Sequence, residues 1–200
     1  MKALIWEAEA LADTVETRRA AFNESFRAFA IDLNWDAALW RQLARHGTDA
    51  APLRAYMAQS GHALDDATVA AIGADAVARS AALIAAGAAP LRPAAVALLA
   101  DARRHALRQA VIGPTTAAEL EALTDVPGSP PAEFQVVIPA ARLDARLIDQ
   151  ARCRLDVDRA DCVVVAATAQ GSDVARHAGL DVRVVGDAED AGESGRAVCP

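Results

Sequence analysis

The segment 161–167, Asp-Cys-Val-Val-Val-Ala-Ala, constrains the fold of this chain more than any other. After one charge it is wholly apolar, and its valines are β-branched, which favours a strand over a helix at this length. A strand that is apolar on both faces needs cover on both faces. That is the condition of a parallel strand with helices packed on either side.

The rest of the second half repeats the theme. Residues 107–112 and 134–138 read as strands and residues 182–185 as a last short one. Between them, residues 93–105, 117–123, 144–155 and 172–178 read as helices, with 124–131 as a loop. Strands alternating with helices predict βαβ units and an α/β fold. Residues 2–6 form one more apolar strand at the start of the chain. From Asp13 to about Ala86 the reading is helical instead. Phe22, Phe26 and Phe29 share one helix face, and Asp65 is placed to cap a helix that stops at Gly87. The helical stretch is therefore an insertion, predicting a core of residues 1–13 and 88–200 around a helical cap of residues 14–87. The acidic, Gly-rich residues 187–200 are expected to be loose.

Composition narrows the function classes. The net charge of −7 argues against a nucleic-acid binder, which needs a basic face. The three cysteines, Cys153, Cys162 and Cys199, show neither C-x-x-C spacing nor a zinc-type histidine pair. Their odd number and the acidic, short N-terminal run predict reduced thiols in the cytoplasm rather than a secreted protein. No apolar stretch reaches the roughly 20 residues needed to span a bilayer, so no membrane association is expected. Trp6, next to Glu7, is expected either to pack in the core or to fill the pocket beside it.

In open parallel sheets ligands bind beyond the carboxyl ends of the strands, so those ends are the places to read for chemistry. Leu4–Thr14, LIWEAEALADT, resembles the signature LIFDVDGTLADT of the haloacid dehalogenase (HAD) superfamily. Residues 91–103, LRPAAVALLADAR, resemble LRPGVxxLLxxAR of its CbbY-like branch of sugar-phosphate phosphatases. Residues 110–123 are similar to AIATTTSxxNVxAL, and 162–180 to CVVxEDSxxGxxAAxAAGL. The resemblance covers almost the whole chain and implies a HAD-like Rossmannoid parallel sheet with an inserted helical cap. It implies phosphoryl transfer through an aspartate nucleophile and a second aspartate acid/base. A Ser/Thr and a Lys hold the phosphoryl oxygens, acidic residues hold Mg²⁺, and the setting is Calvin-cycle sugar bisphosphates.

Position by position, the chemistry departs from that pattern. The nucleophile falls on Glu7 and the acid/base on Glu9, with the following loop one residue shorter at Ala10. The Ser/Thr falls on Gly113, the Lys on Arg142, and the Glu-Asp pair on Ala166 and Ala167. The cap's substrate loop, often GGKER, falls on residues 48–52, a later His-x-x-Lys on Gly73 and Ala76, and an entrance His on Arg18. Thr115, Thr116 and Arg142 are candidate anion binders, against the plainer readings of helix capping and a solvated arginine. These losses predict a pseudoenzyme: a non-enzymatic binding or regulatory module with no cofactor, Mg²⁺ binding lost, and a protein partner. The alternative is a weak or altered phosphatase acting on a sugar phosphate through Glu7 and Glu9. A third reading is a sensor that binds a sugar phosphate between core and cap.

Overall fold

The computed structural model describes residues 1–125 and 134–185. Five strands form one parallel sheet: β1 (Ala3–Glu7), β2 (Arg108–Pro114), β3 (Val136–Ala140), β4 (Cys162–Ala166) and β5 (Asp181–Val184). Their order is β3-β2-β1-β4-β5, which puts the first strand of the chain at the centre. Ile5 lies opposite Ala110 on one side and Val164 on the other.

Period-2 alternation sends neighbouring side chains of each strand to opposite faces. Ile5, Ala110, Ile112 and Val164 pack under α8 (Ala145–Leu155) and α9 (Ala169–His177), through Ile148, Leu155 and Ala175. Leu4, Trp6, Val111 and Val165 pack on the other face under α6 (Pro93–Arg104) and α7 (Ala117–Thr124), through Leu98, Leu99 and Leu120. Trp6 belongs to this second core. It is fully buried, and its indole N–H donates to Gln109 Oε1 at 3.0 Å, so it does not fill the pocket beside Glu7. Cys162 is a small apolar core residue whose thiol burial pushes up to about 11, which keeps it unreactive. Cys199 and the acidic tail lie outside the described residues.

After β1 the chain makes one helical turn, α1 (Ala8–Leu11), and then four cap helices. These are α2 (Val15–Ala28), α3 (Ala37–Leu43), α4 (Ala51–Ser60) and α5 (Asp66–Ala85). Most of the chain's few aromatics gather there. The Phe26 and Trp35 rings meet edge-on with centroids 4.7 Å apart, and Trp35 stacks on Trp40 at 5.8 Å. Asn23 fixes Trp35 by its backbone, donating to the carbonyl at 2.9 Å and accepting from the N–H at 2.8 Å. Phe29 does not share this cluster: α2 ends at Ala28, Ala30 turns left-handed at φ 54°, and the Phe29 ring is left partly exposed.

Helix α5 corrects one expectation. By length and composition alone it is long and apolar enough to cross a membrane. In this fold its apolar residues are divided between two cores, with Val69, Ile72 and Ala76 in the cap cluster and Ile84 in the sheet cluster. Gly73 on the same helix is set by close approach. A Cβ there would stand 2.7 Å from the backbone of Ala50, so the histidine of the resembling family has no room.

Candidate active site

Glu7 ends β1 and Gly113 nearly ends β2, while Ala166 ends β4 and Ala167 follows it, so the carboxyl edge of the sheet brings these four positions together. Gly113 has φ 153°, and a Cβ on it would meet Ala8 at 3.2 Å. The tight turn after Glu7 thus occupies the space that a threonine side chain would need. Backbone conformation and packing both select glycine here.

The Glu7 side chain is buried and turned towards β4. It accepts from the Ala167 N–H at 2.9 Å, the Thr168 N–H at 3.2 Å and the Thr168 hydroxyl at 2.6 Å. Thr168 also caps α9, its Oγ1 accepting from the Gly171 N–H at 2.8 Å. A Cβ on Gly171 would fall 2.4 Å from Glu7 Oε2. The carboxylate therefore lies on a bare glycine at the start of a helix, where negative charge is favoured. The sequence reading starts this helix at Ser172 and so passes over Thr168 and Gly171. The available signal was a threonine three residues before a glycine, the ordinary N-cap spacing.

Glu9 has partners of its own, Thr14 and Arg18. It accepts from the Thr14 hydroxyl at 2.8 Å and the Thr14 N–H at 3.3 Å, and pairs with Arg18 Nη1 at 3.4 Å. Burial pushes its carboxyl above the usual carboxylate range, against the opposing pull of Arg18 and Thr14. Arg18 continues to a second acid, Glu119, with Nε 2.9 Å from Oε1. Thr115 and Thr116 also serve Glu119. The Thr115 hydroxyl donates at 3.0 Å and the Thr116 N–H at 3.1 Å, and Thr116 with Glu119 forms a capping box at the start of α7. The anion at this helix start is the chain's own carboxylate. Capping, rather than an external ligand, is what these two threonines do in the structure.

Arg142, exposed before α8, lines a cleft of about 320 Å³. Pro114, Asp144 and Gln170 contribute from the core, and Arg45 and Gly47 from the cap. Neither Arg45 nor Arg142 makes an ion pair among the described residues. Sequence reading missed Arg45, because only the fold brings it across from Arg142. A second, inner cavity of about 30 Å³ lies between Arg18, Phe22, Trp40, Thr48, Ser80 and Glu119.

The residues present do not fit the Mg²⁺ that the HAD resemblance implies. Among the described residues no three His, Cys, Asp or Glu converge. Around Glu7 stand N–H and O–H donors, which suit an anion, where a hard cation needs several oxygen ligands in octahedral geometry. Titration calorimetry with millimolar Mg²⁺ is therefore expected to show no stoichiometric binding. A saturating response that disappears in Glu7→Gln would contradict this.

No protein-family model matches the chain. It is 30% identical to Protein CbbY of Cereibacter sphaeroides over 177 residues, covering 85% of this chain and 77% of that protein. It is 32% identical to Protein CbbY of Rhodobacter capsulatus over 140 residues, a match that spans 62% of that protein's length. Among solved structures, CbbY from Rhodobacter sphaeroides in complex with phosphate superposes with a TM-score of 0.81 at 28% identity, covering 97% of this chain and 90% of that one. A mutant of the same protein in complex with xylulose-(1,5)bisphosphate gives 0.80. These findings overturn the expectation of a non-enzymatic pseudoenzyme. CbbY from Rhodobacter sphaeroides, which matches over nearly the whole fold, holds phosphate in one structure and a sugar bisphosphate in the other. The reading from replaced residues kept the carboxylate pair Glu7 and Glu9 as its alternative and gave more weight to the losses at Gly113, Ala166 and Ala167. The chain belongs to the CbbY family of the haloacid dehalogenase superfamily.

Proposed function

We propose that the protein takes a sugar phosphate between core and cap and hydrolyses its phosphoester by an altered form of the family's reaction, through Glu7 and Glu9. The observation that carries this reading is that Arg45 and Arg142, which make no ion pair among the described residues, face one cleft of about 320 Å³ in a chain of net charge −7. That volume is in the range of small-molecule sites. Two guanidinium groups without carboxylate partners among the described residues have donor forks suited to phosphoryl oxygens. Gln170 lines the same cleft, and its neighbour Gly171 packs against the Glu7 carboxylate.

In this reading the Glu7 carboxylate attacks phosphorus, the bond from phosphorus to the sugar oxygen breaks, and that oxygen takes a proton from the Glu9 carboxyl, whose proton affinity burial raises. Water then hydrolyses the acyl phosphate, giving one proton to the Glu9 carboxylate, releasing inorganic phosphate and restoring both Glu7 and Glu9. Glu7 must first leave its three donors. Breaking three hydrogen bonds to a charged group, at about 1.5 kcal/mol each, slows the step on the order of a thousandfold. Turnover is therefore slow. The Calvin-cycle setting implied by the resemblance makes sugar bisphosphates the first substrates to try.

The test is phosphate release from xylulose-(1,5)bisphosphate and a panel of sugar monophosphates, with and without Mg²⁺. Expected are slow release insensitive to Mg²⁺, its loss in Glu7→Gln, and a raised KM with little change in kcat in Arg142→Ala. Release that persists in Glu7→Gln, or no release from any substrate, would refute the proposal.

A further inference from the structure

Between cap and core lies a buried polar network that the proposed chemistry uses only at Glu9. Its centre is Glu119 of α7, which is 2% exposed. Arg18 Nε of α2 and the Ser80 hydroxyl of α5 donate to Glu119 Oε1, at 2.9 and 2.6 Å. The Thr115 hydroxyl and the Thr116 N–H donate to Oε2, at 3.0 and 3.1 Å. Burial raises the proton affinity of this carboxyl, but Arg18, Ser80 and Thr116 outweigh it, so it stays ionised at neutral pH. A guanidinium, two hydroxyls and a backbone N–H at a helix start make a seat for an anion. The seat has a donor to spare, because Arg18 Nη2 is buried with no hydrogen-bond partner. A carboxylate brings two oxygens to such a set of donors, where a phosphoryl group brings three.

We infer that Glu119 is a specificity-determining residue: its own carboxylate fills the inner anion seat between core and cap, so the site takes a sugar with one phosphoryl group and turns a second one away. The ligand's place rests on the hydrolase reading above; the occupied seat does not. The outer cleft and the inner cavity share Ala44 and Gly47 as wall residues. Arg45 and Arg142 line the outer cleft, whereas Asp49 and Glu119 line the inner cavity together with Thr48 and Ser80. Arg18, which also lines the inner cavity, is spent on Glu9 and Glu119. A second phosphoryl group reaching past Gly47 therefore meets a buried negative charge, and like charges set against each other exclude a ligand strongly. Sugar hydroxyls can donate to the same oxygens and suit this end. The family setting puts bisphosphates first, and the charge at the inner end reverses that order for this chain.

Titration calorimetry of the full chain with inorganic phosphate tests this. Glu119→Ala removes the carboxylate and its methylene, adding that space to the cavity of about 30 Å³ beside it and leaving the donors in place. It is expected to bind one more phosphate per chain than the parent. Glu119→Gln removes the charge but still fills the seat, and should bind no more than the parent. The melting temperature of Glu119→Ala should also rise with phosphate and not with sodium chloride of equal ionic strength, so a variant that unfolds without the anion still gives an answer. In the same calorimeter, the affinity for xylulose-(1,5)bisphosphate relative to the matching monophosphate should rise roughly tenfold from parent to Glu119→Ala. The inference is overturned if Glu119→Ala gains neither a phosphate nor a phosphate-dependent rise in melting temperature, if Glu119→Gln gains the phosphate too, or if the parent already prefers the bisphosphate. A parent that binds no sugar phosphate, beside a Glu119→Ala chain that gains the extra phosphate, would refute the hydrolase reading and uphold the filled seat.

Discussion

Glu7→Gln is expected to lower the free energy of unfolding by about 2–4 kcal/mol, measured by urea denaturation with an unchanged m-value. The carboxylate accepts from two backbone N–H groups and one hydroxyl, at 2.6–3.2 Å. A glutamine of the same shape keeps one acceptor oxygen and turns the other into an N–H₂ that faces donors. At least one of the Ala167 and Thr168 donors is then buried without a partner, which costs about 1–3 kcal/mol, and the favourable charge at the start of α9 is lost as well. Gly171→Ala should act in the same direction from the other side, because its Cβ would take the place of Oε2. A catalytic carboxylate ordinarily contributes little to stability. Here the same group binds β1 to β4 and α9, so a Glu7→Gln protein as stable as the parent would show that the side chain does not occupy this position.

That double role explains what was legible in the sequence and what was not. Apolar runs at 2–6, 107–112 and 161–167 marked β1, β2 and β4 because a central parallel strand is buried on both faces. The edge strand β3 was less clear. Its burial alternates, and it occupies Val136–Ala140, two residues later than the run from Phe134 suggested. Phe134 packs against the sheet cluster without belonging to the strand. The start of α9 was missed because Gly171 reads locally as a helix breaker. Its reason for being there is the carboxylate of Glu7, 160 residues from Ala167 along the chain. Arg18 and Glu119 are separated by 101 residues, and no local pattern announces such a pair. Arg45 has no motif at all and becomes a site residue only through the docking of the cap. Local patterns carried the framework, while the site depends on contacts between distant segments. Comparing each residue with a family motif tests identity and is blind to a carboxylate that has taken up a new orientation.

The other large effect is expected at Arg18. Arg18→Met removes the cation that pairs with both Glu9 and Glu119 and should destabilise the protein by about 3–5 kcal/mol at neutral pH, the usual result of breaking one side of a buried ion pair. The double variant Arg18→Met/Glu119→Gln should be markedly more stable than the sum of the two single losses predicts. Removing both charges leaves no unpaired ion at that end of the network, and coupled sites are not additive. The pH dependence gives an independent check of sign. Burial raises the proton affinity of Glu119, but the Arg18 charge, with Ser80 and Thr116, outweighs it and holds the carboxyl below its ordinary range. A carboxyl depressed in the folded state contributes stability above its unfolded pKa and loses it as pH falls through the folded value. Glu9 has the opposite sense. Its raised carboxyl favours folding while protonated, and that contribution is lost as pH rises through the folded value. Taking away Arg18 removes a lowering influence from both groups, so both carboxyls shift upwards. The penalty of Arg18→Met should therefore be largest at neutral pH, where two buried carboxylates face each other without a cation. It should shrink on acidification, as both take up protons. Urea unfolding of parent and variant across the acid range measures this directly. A penalty independent of pH would mean that Arg18 contributes by packing alone, and a penalty that grows on acidification would mean that the ion pairs with Glu9 and Glu119 do not form.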